Sequence, residues 1–170
     1  MNKVIAIANQ KGGVGKTATA VNLAASMAAT KRKVLLVDLD PQGNATMGSG
    51  INKQSCNLSV YHILTGKNST AEAIVHSDSG KYDVLPANRD LVAAEVELMK
   101  EIGRESRLKI ALNEVEENYD YIIIDCPPTL NMLTVNALVA SEGVIIPMQC
   151  EYFALEGLAD LNNTIKQIAK

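Results

Sequence analysis

Five short apolar runs, separated by longer stretches of mixed character, constrain the fold of this chain more than any other feature. Four of the runs are continuously apolar, as strands buried on both faces of a parallel sheet are, and the fifth is weaker. The four are residues 4–8, 34–37, 121–124 and 144–148, and the fifth is residues 82–85. The helix-like segments between or after them are residues 16–29, 106–118, 130–140 and 155–169. This alternation predicts an α/β fold with a doubly wound, mostly parallel sheet and helices on both faces.

The length of the chain fits one domain. It has 170 residues, which is enough for a sizeable core, and we take residues 1–170 as a single domain. The polar, glycine-rich segment 43–59 is expected to form a long surface loop and is a candidate for motion. The last helix-like segment is followed by no further strand, so we expect the domain to lack its last strands and helices.

A glycine-rich stretch, Asn-Gln-Lys-Gly-Gly-Val-Gly-Lys-Thr at residues 9–17, joins the first strand to the first helix. Strand, glycine-rich loop, Gly-Lys-Thr and helix together form the context of a phosphate-binding loop, so we predict a P-loop NTPase. Glycines let backbone N–H groups approach phosphate oxygens, and the positive end of the helix dipole at the helix start attracts the negative phosphates. Lys16 is expected to reach the β- and γ-phosphates, and Thr17 to bind Mg²⁺. The match is imperfect, because Gln10 stands where the first glycine of the motif would fall.

A second lysine, Lys11, stands at the entrance of this loop. The residues alone leave its role open between a solvated lysine before a turn and a second group that acts on phosphate.

Three aspartates end two of the predicted strands. Asp38 and Asp40 close the second strand, and Asp125 closes the run at 121–124. Ligands of open α/β sheets bind at the carboxyl ends of the strands, so all three are expected near the phosphate loop. Asp125 fits an acid that holds magnesium through water. Asp38 and Asp40 compete for the role of orienting the attacking water, and Asp40, further out and next to Pro41, is the better candidate.

Composition argues against several other classes of protein. The net charge is −3, and no apolar run approaches the ~18 residues of a membrane span. The N-terminus lacks the layout of a signal peptide, so we expect a cytoplasmic protein. The three cysteines, Cys56, Cys126 and Cys150, are far apart, which argues against a disulfide framework and against C-x-x-C metal spacing. No basic stripe suited to a DNA backbone is visible.

Four motifs in this order resemble the ParA/Soj branch of the deviant-Walker ATPases, which are relatives of MinD. They are KGGVGKT at 11–17, VLLVDLDPQGNAT at 34–46, YDYIIIDCPP at 119–128 and PMQCEYFALEGL at 147–158. The resemblance runs from residue 1 to about residue 166. Members of that family continue well past this chain, so the resemblance also implies that the chain is the N-terminal portion of a longer family domain.

The resemblance assigns roles to single residues. It implies that Lys11 contacts the phosphates of the ATP held by a partner subunit, in a nucleotide-sandwich homodimer. Asp40 corresponds to the acid that supports hydrolysis, and Gly12 to a glycine where bulk would hinder dimer closure. The implied catalytic residues are Lys11, Lys16 and Asp40. The implied nucleotide-binding residues are Lys11, Gly12, Gly13, Val14, Gly15, Lys16, Thr17 and Ala18. The implied magnesium residues are Thr17 and, through water, Asp40 and Asp125.

The same resemblance implies a cellular role. Family members bind Mg-ATP, dimerise and hydrolyse ATP slowly, and a ParB/Spo0J-type protein stimulates them. They also bind DNA non-specifically through a C-terminal region that this chain lacks, and they partition plasmids or chromosomes. We therefore expect a weak, partner-stimulated ATPase that is cytoplasmic, nucleoid-associated and not bound to membrane.

Two other readings remain open from the sequence. One is a small-molecule kinase or ligase on the same fold, which would need a pocket for a phosphoryl acceptor. The other is a MinD-like, membrane-associated positioning ATPase, which would need a basic amphipathic C-terminal helix that residues 155–170 do not show. A GTPase is disfavoured, since the sequence has no Asn-Lys-x-Asp stretch.

Overall fold

The computed structural model describes residues 3–8, 16–147 and 161–168, with only the backbone of residue 16. Six strands form one sheet in the order β3-β4-β2-β5-β1-β6. They are β1 (Lys3–Ile7), β2 (Val34–Asp38), β3 (Val75–Ser77), β4 (Tyr82–Leu85), β5 (Tyr121–Asp125) and β6 (Gly143–Ile145). The short strand β3 runs antiparallel to β4, and every other pairing is parallel. The predicted doubly wound, mostly parallel sheet is confirmed.

Seven named helices accompany these strands in the described ranges. They are α1 (Lys16–Ala29), α2 (Asn44–Gly48), α3 (Val60–Leu64), α4 (Thr70–Ala73), α5 (Leu91–Leu98), α6 (Arg107–Asn113) and α7 (Met132–Ala140). Residues 161–168 are also helical. Short 3-10 turns lie at Lys53–Ser55, Arg104–Ser106 and Glu116–Asn118. Among the described residues, no helix is both long and apolar enough to cross a membrane.

Strand side chains alternate between the two faces of the sheet, and each face has its own core. On one face, Leu36 of β2 and Ile123 of β5 pack with the small residues Ala20 and Ala24 of α1. On the other, Leu35, Val37, Ile122 and Ile124 pack against helices α3, α5, α6 and α7. Small residues on α1 let that helix lie close to the sheet, which brings its first turn near the carboxyl ends of the strands.

Several predicted boundaries differ from the structure. The segment 43–59 is not one long surface loop, because it contains α2, in which Ala45 and Thr46 are fully buried. The helix expected at 106–118 is α6 followed by a separate 3-10 turn. Of the helix expected at 155–169, the described part is residues 161–168.

The elements that the sequence did not reveal are mostly short. Strand β3 and helices α3 and α4 have three to five residues each, which is too few for a periodic pattern to emerge. Helix α5 is longer, with Leu91, Ala94 and Leu98 buried, and it was not predicted from the sequence.

Candidate functional site

The carboxyl ends of three neighbouring strands bring two of the predicted acids side by side. Ile7 of β1 pairs with Asp125 of β5, and Asp125 pairs in turn with Asp38 of β2. Parallel strands lie about 4.8 Å apart, so in-register residues of neighbouring strands are adjacent. Side-chain alternation along β2 and β5 places both carboxylates on the face covered by α1.

The start of α1 meets this edge of the sheet. The helix begins at Lys16, as predicted, and its second residue, Thr17, donates a hydrogen bond from Oγ1 to Oδ2 of Asp125 at 3.2 Å. The two residues are 108 positions apart in the chain. A hydroxyl and a carboxylate are the hard oxygen donors that Mg²⁺ prefers, and the helix start favours the phosphates that accompany it.

The described residues hold no larger cluster of metal-binding side chains. In the part of the chain that the structure describes, no group of three or more His, Cys, Asp or Glu side chains is arranged to hold a metal ion. A site built from Thr17 and Asp125 would therefore leave most positions around magnesium to water and phosphate, as Mg²⁺ sites usually do.

Asp38 is fully buried and its carboxylate is surrounded by donors. Oδ1 accepts from the backbone N–H of Asp40 at 3.0 Å. Oδ2 accepts from the backbone N–H of Thr46 at 2.9 Å and from the Thr46 hydroxyl at 2.7 Å. Burial, and then the neighbouring Asp125 carboxylate, raise the pKa of Asp38 to about 7, against the opposing effect of these hydrogen bonds.

Asp40 lies two residues beyond the end of β2, in a turn. Its Oδ1 accepts from the backbone N–H of Gln42 at 3.0 Å, and its carbonyl accepts from Gly43 at 2.8 Å. Gly43 has a φ of +67°, and a Cβ there would come within 2.8 Å of the Ala87 carbonyl oxygen. A glycine is therefore required for the turn to pack against the exit of β4. Asp40 as a whole is only 6% exposed.

Part of the predicted site lies outside the described residues. Those positions are Lys11, Gly12, Gly13, Val14 and Gly15, together with the side chain of Lys16. Ala18 is described, and it is an exposed residue in the first turn of α1. The structure thus brings together Thr17, Asp38 and Asp125 and places Asp40 in the turn beyond β2.

Sequence reasoning missed Thr46 and the backbone of Ala87. The Thr46 hydroxyl accepts from the N–H of Ala87 at 3.0 Å, which joins the turn after β2 to the exit of β4. The threonine was visible in the motif at 34–46, but no local pattern marks it as buried, because its partners come from separate parts of the chain.

Asp38→Asn is expected to reduce the pH dependence of stability in the absence of nucleotide and magnesium. A carboxyl with a higher pKa in the folded chain binds more protons when folded, so the free energy of unfolding should fall as pH rises from 3.8 to about 7. A shift of this size corresponds to at most about 4 kcal/mol. Urea unfolding at several pH values gives the free energy of unfolding as a function of pH. This free energy should depend less on pH in Asp38→Asn than in the wild type, whereas Asp78→Asn, at an exposed turn, should keep the pH dependence of the wild type. The same pH dependence in all three proteins would show that the pKa of Asp38 is not raised in the folded chain.

An α/β sheet with a helix start and buried acids at the carboxyl edge of its strands is the layout of a nucleotide-binding domain. A family model described as an AAA domain matches residues 2–170. Soj, the sporulation initiation inhibitor protein of Bacillus subtilis, is 55% identical over 170 residues, which are 100% of this chain and 67% of Soj. The chain belongs to this AAA-domain family, in the branch that contains the Soj and ParA chromosome-partitioning proteins, and the resemblance carried by the four motifs is confirmed.

Other relatives and two solved structures are similar to the chain. A Pseudomonas putida protein is 66% identical over 99% of this chain, and the ParA chromosome-partitioning protein of Myxococcus xanthus is 51% identical over 97% of it. The chain spans 64% and 58% of the lengths of these two relatives.

One of the two structures is a cobyrinic acid a,c-diamide synthase from Mycobacterium smegmatis with a bound ATP analogue and magnesium. It is 43% identical to this chain, with a TM-score of 0.95, and the match covers 99% of this chain and 68% of the synthase. A plasmid partition protein from Borrelia burgdorferi B31, bound to AMPPNP, has a TM-score of 0.85 at 32% identity, covering 100% and 71%.

Proposed function

We propose that this chain binds Mg-ATP where β1, β5 and the start of α1 meet, and that it hydrolyses ATP in a ParA-type partitioning system. The observation that carries the proposal is the 3.2 Å contact between the Thr17 hydroxyl and the Asp125 carboxylate. It joins a helix start to the end of a central strand, where phosphate and magnesium bind in folds of this class. The nucleotides bound in the two similar structures support the same ligand.

In the proposal, residues on α1, on β5 and in the preceding glycine-rich loop have distinct roles in this site. Thr17 would bind magnesium directly, and Asp125 would hold it through a water molecule. The Lys16 ammonium would neutralise the β- and γ-phosphates at the helix start, with residues 11–18 surrounding them. Bound magnesium would neutralise negative charge on the phosphates while the γ-phosphoryl group is transferred to water.

Asp40 is the better candidate for the residue that orients the attacking water. The Asp38 carboxylate is fully buried and accepts hydrogen bonds from three donors, so it stabilises the local fold. Within the part of the chain that the structure describes, the Asp40 carboxylate accepts one hydrogen bond, from the N–H of Gln42. Asp40 therefore keeps acceptor capacity for a water molecule, and in the proposal it also contributes to the water shell of magnesium.

The assembly that we propose is an ATP-sandwich homodimer in which Lys11 of each subunit acts on the ATP of the other. A γ-phosphate carries negative charge that two facing subunits would bring together, and a cation from each side neutralises it, as an arginine finger does in other NTPases. ATP then favours the dimer, and hydrolysis releases it. A ParB/Spo0J-type partner would stimulate slow turnover, and non-specific DNA binding would place the protein on the nucleoid in the cytoplasm. The similarity to Soj and ParA supports these partners.

The test of the proposed function is the rate of ATP hydrolysis by this chain and by a form extended to the length of its relatives, with and without DNA. Release of phosphate to water that depends on magnesium is the expected result. Failure of both forms to bind Mg-ATP by calorimetry would refute the proposal.

Lys11→Ala is expected to reduce dimer formation and hydrolysis more than it reduces binding of ATP to the monomer. A group that acts on the neighbouring subunit matters only in the dimer, so its effect must depend on protein concentration. Sedimentation with a non-hydrolysable ATP analogue should show the wild type as a dimer and Lys11→Ala largely as a monomer.

A mixing experiment separates action on the subunit's own ATP from action on the partner's ATP. A Lys11→Ala subunit keeps its own Asp40 and would receive the missing lysine from an Asp40→Ala partner, so the mixture should recover ATPase activity. An inactive mixture, in which both proteins bind ATP and form mixed dimers, would show that Lys11 does not act across the interface.

A second candidate is an ATP-dependent ligase, because one of the similar structures is named as a diamide synthase. A ligase of this kind would transfer the γ-phosphoryl group of ATP to a substrate carboxylate, and an amine or ammonia would then displace inorganic phosphate from the acyl phosphate to form the amide. The higher identity to Soj, 55% against 43%, favours the partitioning function. Release of phosphate from ATP in the absence of any carboxylate substrate would favour the ATPase over the ligase.

A further inference from the structure

A single buried hydroxyl connects the turn that bears Asp40 to two separate strand ends. Thr46 is fully buried on α2. Its Oγ1 donates to Oδ2 of Asp38 at 2.7 Å and accepts from the N–H of Ala87 at 3.0 Å. A hydroxyl can donate once and accept as well, so both of these bonds use its normal capacity.

Asp38 extends this connection to Asp40 itself. The oxygen of Asp38 that does not contact Thr46 accepts from the backbone N–H of Asp40 at 3.0 Å. The two ends of the 40–46 turn are therefore bound to the same carboxylate, one through each oxygen. Because Thr46 also contacts Ala87 beyond β4, the turn is tied to two strands and its position depends on the sheet.

We propose that Thr46 is a positioning residue for hydrolysis, acting through Asp38 on the backbone that carries Asp40. The proposal rests on the proposed function, since it assumes that Asp40 orients the attacking water. Removal of the hydroxyl leaves the Ala87 N–H without its acceptor and takes one of three donors from Asp38. The turn, and Asp40 with it, is then no longer held in one position relative to the phosphate site. Thr17 and Asp125, which lie on α1 and β5, keep their positions.

The test compares Thr46→Val with Thr46→Ser. Valine keeps nearly the same shape without the hydroxyl, and serine keeps the hydroxyl. We expect Thr46→Val to lower kcat by about 10- to 100-fold, the range found when an outer-shell partner of a metal-binding side chain is removed. Affinity for Mg-ATP should change by less than about threefold, since the groups that bind phosphate are untouched. Thr46→Ser should recover most of the lost kcat.

Thr70→Val is the matched control for a general loss of stability. Thr70 is also fully buried, and its hydroxyl also donates inside the protein, to the carbonyl of Ala111 at 2.8 Å. It lies on α4, which packs against the opposite face of the sheet from α1. Thr70→Val should lower the melting temperature as Thr46→Val does, but it should leave kcat within about twofold of the wild type. An equal loss of kcat in both variants, or no loss in Thr46→Val, would overturn the proposal.

Amide hydrogen exchange separates this proposal from the proposed function. The N–H groups of Asp40 and Ala87 should exchange faster in Thr46→Val than in the wild type, and Thr70→Val should not change them. If the wild type binds Mg-ATP but hydrolyses none, the proposed function fails. Faster exchange at these two amides would then still support the structural link, and unchanged exchange would refute it. Faster exchange with normal kcat would show that Thr46 links the strands without positioning Asp40.

Discussion

Asp40→Ala is expected to bind Mg-ATP with nearly normal affinity and to hydrolyse it about 10²- to 10⁴-fold more slowly, the usual contribution of a positioned acid–base group. The carboxylate lies in the turn after β2, where Oδ1 accepts a hydrogen bond from the N–H of Gln42, and the proposed function gives it a role in orienting water and none in binding phosphate. A group that acts only in the transition state lowers kcat while ground-state binding stays nearly intact. Single-turnover hydrolysis and calorimetry with an ATP analogue measure the two quantities separately.

The control for this variant is Asp78→Ala. Asp78 is exposed in the turn between β3 and β4. This turn lies at the amino end of β4, whereas the proposed phosphate site lies at the carboxyl ends of the parallel strands, so Asp78→Ala removes the same charge at the other end of the sheet. It should hydrolyse ATP at the wild-type rate. Normal turnover in Asp40→Ala would show that Asp38, or a residue outside the described ranges, orients the attacking water instead.

Lys16→Ala is expected to lower the affinity for ATP at least tenfold and to abolish hydrolysis with it. The residue begins α1, directly after the glycine-rich loop, where the helix start already favours phosphate. Loss of one well-placed charge-assisted contact costs about 1.5–3 kcal/mol, which corresponds to a factor of roughly ten to one hundred and fifty in affinity. Calorimetric titration with ATP and magnesium measures the loss directly.

Lys33→Ala is a suitable control for the change in net charge. Lys33 is exposed and precedes β2 at the other end of the strands, so it should leave the affinity for ATP unchanged. If Lys16→Ala and Lys33→Ala bound ATP equally well, the phosphate site would not lie at the start of α1.

The position of the helix start and of the strand ends could be predicted from contiguous residues. A buried strand, glycines and Lys-Thr at the first turn of an alanine-rich helix follow one another in the chain, so their arrangement depends on local geometry. The structure confirms α1 from Lys16 and strands that end at Asp38 and Asp125. The segment 43–59 was predicted wrongly, since its polar and glycine-rich composition concealed α2. The buried Thr46 there is satisfied by Asp38 and Ala87, and these partners become neighbours only when the sheet forms.

The sequence by itself determined the alternation of strands and helices, the phosphate-loop motif and the acids at strand ends, because each depends on residues close together in the chain. Only the tertiary structure decided which of these residues meet. The order β2-β5-β1 places Asp38 and Asp125 in register and brings Thr17 to Asp125 across 108 positions. It also gave the two acids at the end of β2 different surroundings, since the Asp38 carboxylate accepts hydrogen bonds from three donors, whereas Asp40 lies beyond the strand in a turn. Strand order results from the packing of both sheet faces at once, and no local stretch of sequence records it.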